Sequence, residues 1–257
     1  NMITLVSGSA ALSTKLNRSF HGAGIPILEG YGLTETSPVI AVNSFERVKI
    51  GTVGHVLDNL DVKVQADGEI TVKGPSVFQG YYKDDEKTKE AFTEDGYFMT
   101  GDIGHIDEEG FLHITDRKKE MFKTSGGKYV APQVLENLAK GSKFIEQIMV
   151  VGDGEKMPCA LVQPDYAFAK LWAERKHLKI GKTPEEMANS PELKARIMKD
   201  INLLNATLGK WEQIKKIELT PTLWTIEDGL LTPTMKLKRK AVKEKFFNLY
   251  EKLYDRA

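Results

Sequence analysis

Gly30-Tyr31-Gly32-Leu33-Thr34-Glu35 gathers a flat aromatic ring, a hydroxyl and a carboxylate around two glycines in one short run. Glycine lets the backbone itself approach a ligand, Tyr31 presents a face for a planar ring, and Thr34 and Glu35 supply hard oxygens. Such oxygens suit Mg2+ arriving on a nucleotide phosphate. The same residues also read as an ordinary helix start, with Thr34 as the cap and Glu35 in the first turn; locally the two readings weigh the same. A second carboxylate, Asp102 in Thr100-Gly101-Asp102, is expected on a tight loop where a strand ends. From there it accepts hydrogen bonds from both hydroxyls of a ribose, or closes a plain Asx turn.

A burst of charge, Asp116 to Glu120, lies between apolar runs at 111–115 and 121–123. Unpaired charges are too costly to bury, so residues 116–119 read as a surface joint, a hinge between two structured pieces. Beyond them Ser125-Gly126-Gly127-Lys128 separates 121–123 from 128–130, a hairpin whose tight turn calls on the positive φ of glycine. Gly126-Gly127-Lys128 is not a P-loop, because the Gly-four-residues-Gly-Lys-Ser/Thr spacing is absent.

These groups need elements to hold them. A strand at 3–6, a helix at 13–22 and a strand at 25–29 make a βαβ-like unit, with Ser13 as N-cap and Gly22 or Gly24 closing the helix. Residues 30–38 then leave the carboxyl end of the second strand, the edge where open α/β sheets bind ligands. Short strands at 62–65, 69–73, 97–100 and 111–115, with a charged helix at 83–92, predict a small barrel or β-subdomain. The rest reads as its own α+β domain. It has a helix at 132–140 opened by Pro132, strands at 145–151, 159–163 and 214–219, a helical insert at 166–177 and 190–208, and a closing helix to about residue 254.

Hydrophobic residues at 41% and charged residues at 28% are those of a globular protein with an ample core. Lys plus Arg and Asp plus Glu are 36 each, so no bulk field invites nucleic acid. The charge is uneven, however, with 236–245 strongly basic. The single cysteine, Cys159, excludes an internal disulfide and fits a reducing, cytoplasmic compartment. Its apolar neighbours mark it as a small buried strand residue. No apolar run approaches membrane-spanning length, and no secretory signal opens the chain. A chain that opens on a core-type strand with nothing ahead of it to pair is expected to be a fragment.

Together these stretches resemble the adenylate-forming acyl-CoA synthetases, and among them the long-chain fatty-acid–CoA ligase branch. The resemblance rests on Gly30-Tyr31-Gly32-Leu33-Thr34-Glu35, Gly68-Glu69-Ile70 with Gly80-Tyr81-Tyr82, Thr100-Gly101-Asp102, Asp116-Arg117-Lys118 and Pro233-Thr234-Met235-Lys236, in the family's order over nearly the whole chain. Each motif alone is weak; the set in register is specific. The run from Thr124 to Pro132 and the long helical insert point to the fatty-acid branch. The fold implied is mixed α+β. The end of a large α/β domain fills 1–115, as a βαβ remnant at 1–45 and a β-subdomain at 46–115. A hinge at 116–119 and a small mobile α+β domain at 120–257 follow.

The resemblance implies a reaction in two steps. A fatty-acid carboxylate attacks the α-phosphorus of ATP, giving acyl-AMP and pyrophosphate, and the thiol of CoA then displaces AMP. Tyr31 and Gly32 would meet the adenine, bordered by the backbone of Gly8, Ser9 and Ala10. Thr34 would contact phosphate oxygens, Glu35 would hold Mg2+, and Asp102 would grip the ribose with help from Arg117. Lys236 matches the lysine that reaches the α-phosphate and the acyl carboxylate, where a fixed ammonium stabilises charge building in transit. The alternative is a solvated lysine at the start of a basic helix, the expectation also for Lys238, Arg239 and Lys240 unless these meet CoA phosphates. Between steps the C-terminal domain would turn about Asp116, bringing Ser125, Gly126 and Gly127 beside the pantetheine.

The family's Ser/Thr/Gly-rich phosphate loop ending in Pro-Lys-Gly has no match here. The chain alone is therefore expected to carry half an active site and to be inactive. Two other readings remain: an acyl-AMP ligase that loads a carrier protein, and a non-catalytic nucleotide-binding module. The basic run 236–245 could serve CoA, peripheral contact with an anionic membrane surface, or solvent alone. Acyl chain length and oligomeric state are left open.

Overall fold

The computed structural model describes residues 4–9 and 12–256, and the chain divides into two compact units between Glu120 and Met121. The first unit opens with β1 (Leu5–Ser7), α1 (Thr14–Gly22) and β2 (Ile27–Gly32). The two strands pair in parallel, Leu5 with Ile27 and Ser7 with Glu29, so the βαβ unit is present. The hydroxyl of Ser13 caps α1 by accepting from the N–H of Leu16 at 3.5 Å. Past the helix end at Ala23, Gly24 takes a left-handed φ of 76°. β2 runs farther than its apolar pattern predicts. It finds an antiparallel partner in β3 (Val39–Val42), with Gly30 opposite Val42 and Tyr31 opposite Ala41. β4 (His55–Val56) completes a four-stranded sheet in the order β1-β2-β3-β4.

A second four-stranded sheet, all antiparallel, follows: β5 (Asp61–Val64), β6 (Glu69–Lys73), β7 (Phe98–Ile106) and β8 (Leu112–Arg117), with α2 (Asp85–Glu90) between β6 and β7. Ile40 of the first sheet clusters with Val72 and Phe98 of the second, and Ala41 clusters with Ile70 and Leu112. The β-subdomain is thus a sheet whose core residues mingle with those of its neighbour sheet; no barrel closes among the described residues.

The second unit begins with a hairpin of β9 (Phe122–Lys123) and β10 (Tyr129–Val130), then α3 (Pro132–Ala139) with Pro132 in its first turn. β11 (Ile145–Val151) and β12 (Cys159–Pro164) pair antiparallel, and β13 (Ile217–Leu219) joins β12 in parallel. Between β12 and β13 lie α4 (Tyr166–Lys176), α5 (Pro184–Ala188) and α6 (Pro191–Asn205); α7 (Arg239–Lys245) and α8 (Phe247–Leu253) close the chain. α5, with its Thr183–Glu186 capping box, went unpredicted, and the single closing helix expected from the sequence is two, parted at Phe246.

Every residue of β12 is buried, and its side chains alternate between two cores. Ala160 and Val162 join Leu135, Ala169, Leu193 and Ile197 from α3, α4 and α6. Cys159 and Leu161 join Leu231, Val242 and Tyr250 on the other side. A strand covered on both faces loses the polar alternation of a half-exposed one, which is why this sheet reads as continuous apolar runs. Cys159 has no access to solvent, and burial pushes its thiol up. Among the described residues no helix is long and apolar enough to cross a membrane.

Ile197 on α6 has no exposed surface. Its replacement by Ala removes packed methylenes and leaves a cavity, and is expected to destabilise the second unit by about 2–5 kcal/mol. Trp172, Trp211 and Trp224 all lie in this unit, so tryptophan fluorescence during urea unfolding reads the loss directly.

Candidate active site

β1 and β2 bring their carboxyl ends side by side. A Cβ placed on Gly8 would sit 3.5 Å from the carbonyl oxygen of Gly30, so Gly8 borders the start of the glycine-tyrosine run, with Ser9 beyond it in a left-handed conformation (φ 69°). Ala10, the third residue expected there, lies outside the described residues. At Gly32 a Cβ would fall 1.7 Å from the carbonyl oxygen of Pro38, so only glycine lets the chain close the 3.0 Å bond from the N–H of Leu33 to that same oxygen. A single 3₁₀ turn, Thr34–Thr36, fills the loop so formed.

Thr34 does not cap this turn. The Oγ1 of Thr36, wholly buried, accepts from the N–H of Leu33 at 3.0 Å, leaving Thr34 exposed. Glu35 is half-buried, and its Oε1 accepts from the hydroxyl of Tyr81 at 3.1 Å. Burial first, then Glu35, raises the pKa of Tyr81, so that hydroxyl stays a donor. Among the described residues no group of three His, Cys, Asp or Glu could cage a metal ion. A lone carboxylate instead fits Mg2+ that arrives with most of its oxygens already supplied by phosphate and water.

Asp102 departs from its expected place on a tight loop at a strand end. β7 runs through Thr100-Gly101-Asp102, and Asp102 points inward, 4% exposed. Pairing with β8 sets it opposite Arg117, whose Nε lies 3.1 Å from its Oδ1. Its Oδ2 accepts from the hydroxyl of Tyr31 at 2.7 Å across the two sheets. The Asx-turn alternative gives way to a threonine bond, with the N–H of Asp102 donating to the Oγ1 of Thr100 at 3.1 Å. A carboxylate offers about four lone-pair sites, and the bonds to Arg117 and Tyr31 engage both of its oxygens. Burial, followed by the adjacent Asp102 charge, lifts the Tyr31 hydroxyl far above its ordinary pKa and keeps it a neutral donor.

Within the stretch 116–119, read as a surface joint, Asp116 is corrected to a buried position. Asp116 is 1% exposed inside β8, and its Oδ1 accepts from the N–H of Arg117 at 2.6 Å. The Nζ of Lys118 lies 2.7 Å from carboxylates of both Asp67 and Glu69. Buried Glu69 also accepts from the N–H of Gly101 at 3.0 Å, while the N–H of Lys118 donates to the oxygen of Gly101 at 2.8 Å. Asp67, then Glu69, raise the pKa of Lys118. Glu69 and Lys118 thus brace the strand that carries Asp102, a task that sequence left unassigned although both stand in motifs it picked out.

In the second unit Lys236 is exposed and sits in a tight loop ahead of α7, not in a helix start. The N–H of Thr232 donates to the oxygen of Lys236 at 2.8 Å, the N–H of Met235 donates to the oxygen of Thr232 at 2.8 Å, and Leu231 bridges Leu237 below. Lys238 and Lys240 are exposed as expected, but Arg239 is not solvated: its guanidinium lies 2.7 Å from Glu136 of α3. Burial pushes the carboxyl of Glu136 up to about 7 against the pull of Arg239. Ser125, Gly126 and Gly127 form an exposed turn, closed by a 2.8 Å bond from the N–H of Gly127 to the oxygen of Thr124, with Gly127 at φ 78°.

Comparison with known proteins gives the family. The family described as "AMP-binding enzyme" matches residues 2–82, and that described as "AMP-binding enzyme C-terminal domain" matches residues 120–257. A long-chain-fatty-acid–CoA ligase of Mycobacterium bovis is 42% identical over 256 residues, which is 100% of this chain and 42% of that protein. The chain therefore spans less than half the length of that relative. The crystal structure of the adenylation domain of a carboxylate reductase from Mycobacterium chelonae superposes with a TM-score of 0.75 at 26% identity, over 97% of this chain and 38% of that one. ATP-bound MatB from Rhodopseudomonas palustris gives a TM-score of 0.72 at 27% identity, over 96% and 46%. With the C-terminal match alone covering more than half of its residues, the chain belongs to the AMP-binding enzymes.

Proposed function

We propose that this chain is the C-terminal portion of an ATP-dependent long-chain fatty acid–CoA ligase, which joins fatty acid and CoA through acyl-AMP with release of AMP and pyrophosphate. The observation that carries the reading is the Tyr31–Asp102–Arg117 group beside the ends of β1 and β2: a neutral ring donor, a buried carboxylate and a cation meeting at a ligand edge. Similarity to ligases that bear this name supports the substrate class.

In this reading Asp102 accepts both ribose hydroxyls, while Arg117 and the Tyr31 hydroxyl hold its carboxylate in place. The Tyr31 ring lies against adenine, and the glycines on either side admit the nucleotide to the backbone. Thr34, exposed on its 3₁₀ turn, donates to phosphate oxygens. Glu35, steadied by Tyr81, holds Mg2+, which when bound screens the phosphate charge. Lys236 meets the α-phosphate and the acyl carboxylate, and its ammonium stabilises the charge that gathers on nonbridging oxygens as the acyl carboxylate attacks. Asp116 serves as the pivot, and Ser125, Gly126 and Gly127 present a turn without bulk to the incoming pantetheine in the second step. Because the chain spans under half of its relatives, activity is assigned to the longer protein.

The deciding experiment incubates that longer protein with palmitate, ATP and Mg2+, with and without CoA, and follows products by mass spectrometry. Palmitoyl-CoA formed only with CoA is the expected result. Palmitoyl-AMP that persists with CoA present would instead indicate transfer to a carrier protein, and neither product would refute the fatty-acid substrate.

Two substitutions test the residue roles. Lys236→Ala is expected to slow acyl-AMP formation about 100–1,000-fold, the scale of a lost transition-state donor, while sparing thioester formation from supplied acyl-AMP. Equal loss in both half-reactions would remove the role from Lys236. Glu35→Ala is expected to raise the Mg2+ concentration for half-maximal rate by about tenfold or more, since even losing a ligand's supporting partner costs that much. An unchanged Mg2+ titration would exclude Glu35 as the ligand.

A further inference from the structure

The Glu136–Arg239 pair bridges three elements. Glu136 is on α3, Arg239 opens α7, and both reach Val150 of β11. Oε1 of Glu136 accepts from the N–H of Val150 at 2.7 Å. Its Oε2 takes the Nη2 of Arg239 at 2.7 Å, and the Nη1 of Arg239 donates to the oxygen of Val150 at 3.3 Å. The two side chains and the one residue close a ring. β11 is an edge of its sheet, and an edge strand presents unpaired backbone groups that need covering. Here the donor and acceptor of Val150 are both covered, by a carboxylate 5% exposed and a half-buried guanidinium.

Arg239 follows Lys236 closely in sequence, so this ring lies at the foot of the lysine loop. The loop has good bonds within itself, but few to its surroundings. Leu231 is buried in the core, and the N–H of Lys238 donates to the oxygen of Leu230 at 2.9 Å. Lys238, at the N-cap of α7, gives the helix no side-chain cap. On the descending limb Leu237 packs against the core of Leu231 and Val242, and Arg239 supplies the polar anchor to the sheet edge. The glycine turn is held differently. The N–H of Ser125 donates to the oxygen of Glu155 at 2.9 Å, the N–H of Gly154 donates to the oxygen of Lys123 at 2.9 Å, and the β9–β10 pairing closes its base.

We propose that Glu136 and Arg239 are positioning residues for Lys236: clamped on the Val150 edge, they fix the loop from which its ammonium reaches the adenylation site. This inference rests on the ligase reading of Lys236 given above. A fixed origin matters because displacing a reacting group by about 1 Å can cost on the order of 100-fold in rate. The pair acts on the lysine loop and not on the glycine turn, so it bears on acyl-AMP formation and leaves thioester formation alone.

The test uses Lys236→Ala, Arg239→Ala and the double variant of the longer protein, assayed for fatty-acid-dependent pyrophosphate–ATP exchange and, separately, for thioester formation from supplied acyl-AMP. Arg239→Ala is expected to lower kcat for adenylation about 10–100-fold. The KM for ATP and the thioester rate should stay within about threefold, the pattern of an interaction realised in the transition state. The double variant should be no slower than Lys236→Ala alone. Arg239→Lys, which keeps the charge but loses the two-pronged donor, should fall between Arg239→Ala and the parent. Amide hydrogen exchange supplies a readout independent of activity: residues 232–238 should exchange faster in Arg239→Ala while β9, β10 and β12 keep their protection. If Arg239→Ala changes neither loop exchange nor adenylation, slows both half-reactions equally, or multiplies the effect of Lys236→Ala, the proposal is wrong. If Lys236→Ala itself leaves adenylation intact, the ligase role of Lys236 falls, and the exchange measurement still decides whether the pair holds the loop.

Discussion

A carboxylate inside a sheet has to be satisfied, and the site in the first unit is organised by that demand at Asp102. A carboxylate taken out of water without hydrogen-bonding partners is costly, because nothing replaces the hydration it has lost. Arg117 answers from the neighbouring strand and Tyr31 from the other sheet, so the need to satisfy one side chain ties three strands together. The same bonds that permit burial also orient the group. The carboxylate, the ring and the cation thereby keep fixed relations without relying on a flexible loop.

A like solution holds two other buried acids. Glu69 is buried between the backbone of Gly101 and the ammonium of Lys118, which makes the end of β8 a braced strand where charge density alone indicated a surface joint. Glu136 is buried between Val150 and Arg239, at the sheet edge below the lysine loop. Each acid takes one bond from a backbone N–H and one from a cation. Both therefore place a main-chain segment as well as balancing a charge, and both segments lie next to residues assigned to the chemistry.

The second unit sets its loops on a sheet covered on both faces. Because β12 sends alternate side chains into two cores, neither face can slide without disturbing both, and the loops leaving the sheet start from rigid ground. The glycine turn and the lysine loop are exposed on that base, the first with no side chain at its tip and the second with a single cation.

Much of this was legible in the residues. Ser13 and Pro132 mark helix starts because a cap or an N-terminal proline acts over one turn of chain, and the βαβ unit, the hairpin and the mixed α+β fold follow from local pattern. Tyr31, Glu35, Asp102 and Lys236 were marked by residue type and motif. What the sequence could not decide was partnership. The hydroxyl of Tyr31 and the carboxylate of Asp102 are 71 positions apart, and Glu136 and Arg239 are 103 apart. Nothing local distinguishes a solvated Arg239 from a clamped one, or an Asp102 on a loop from one within a strand. The cost of burying a charge depends on which groups the fold brings within hydrogen-bonding distance, and that distance is set by tertiary packing alone.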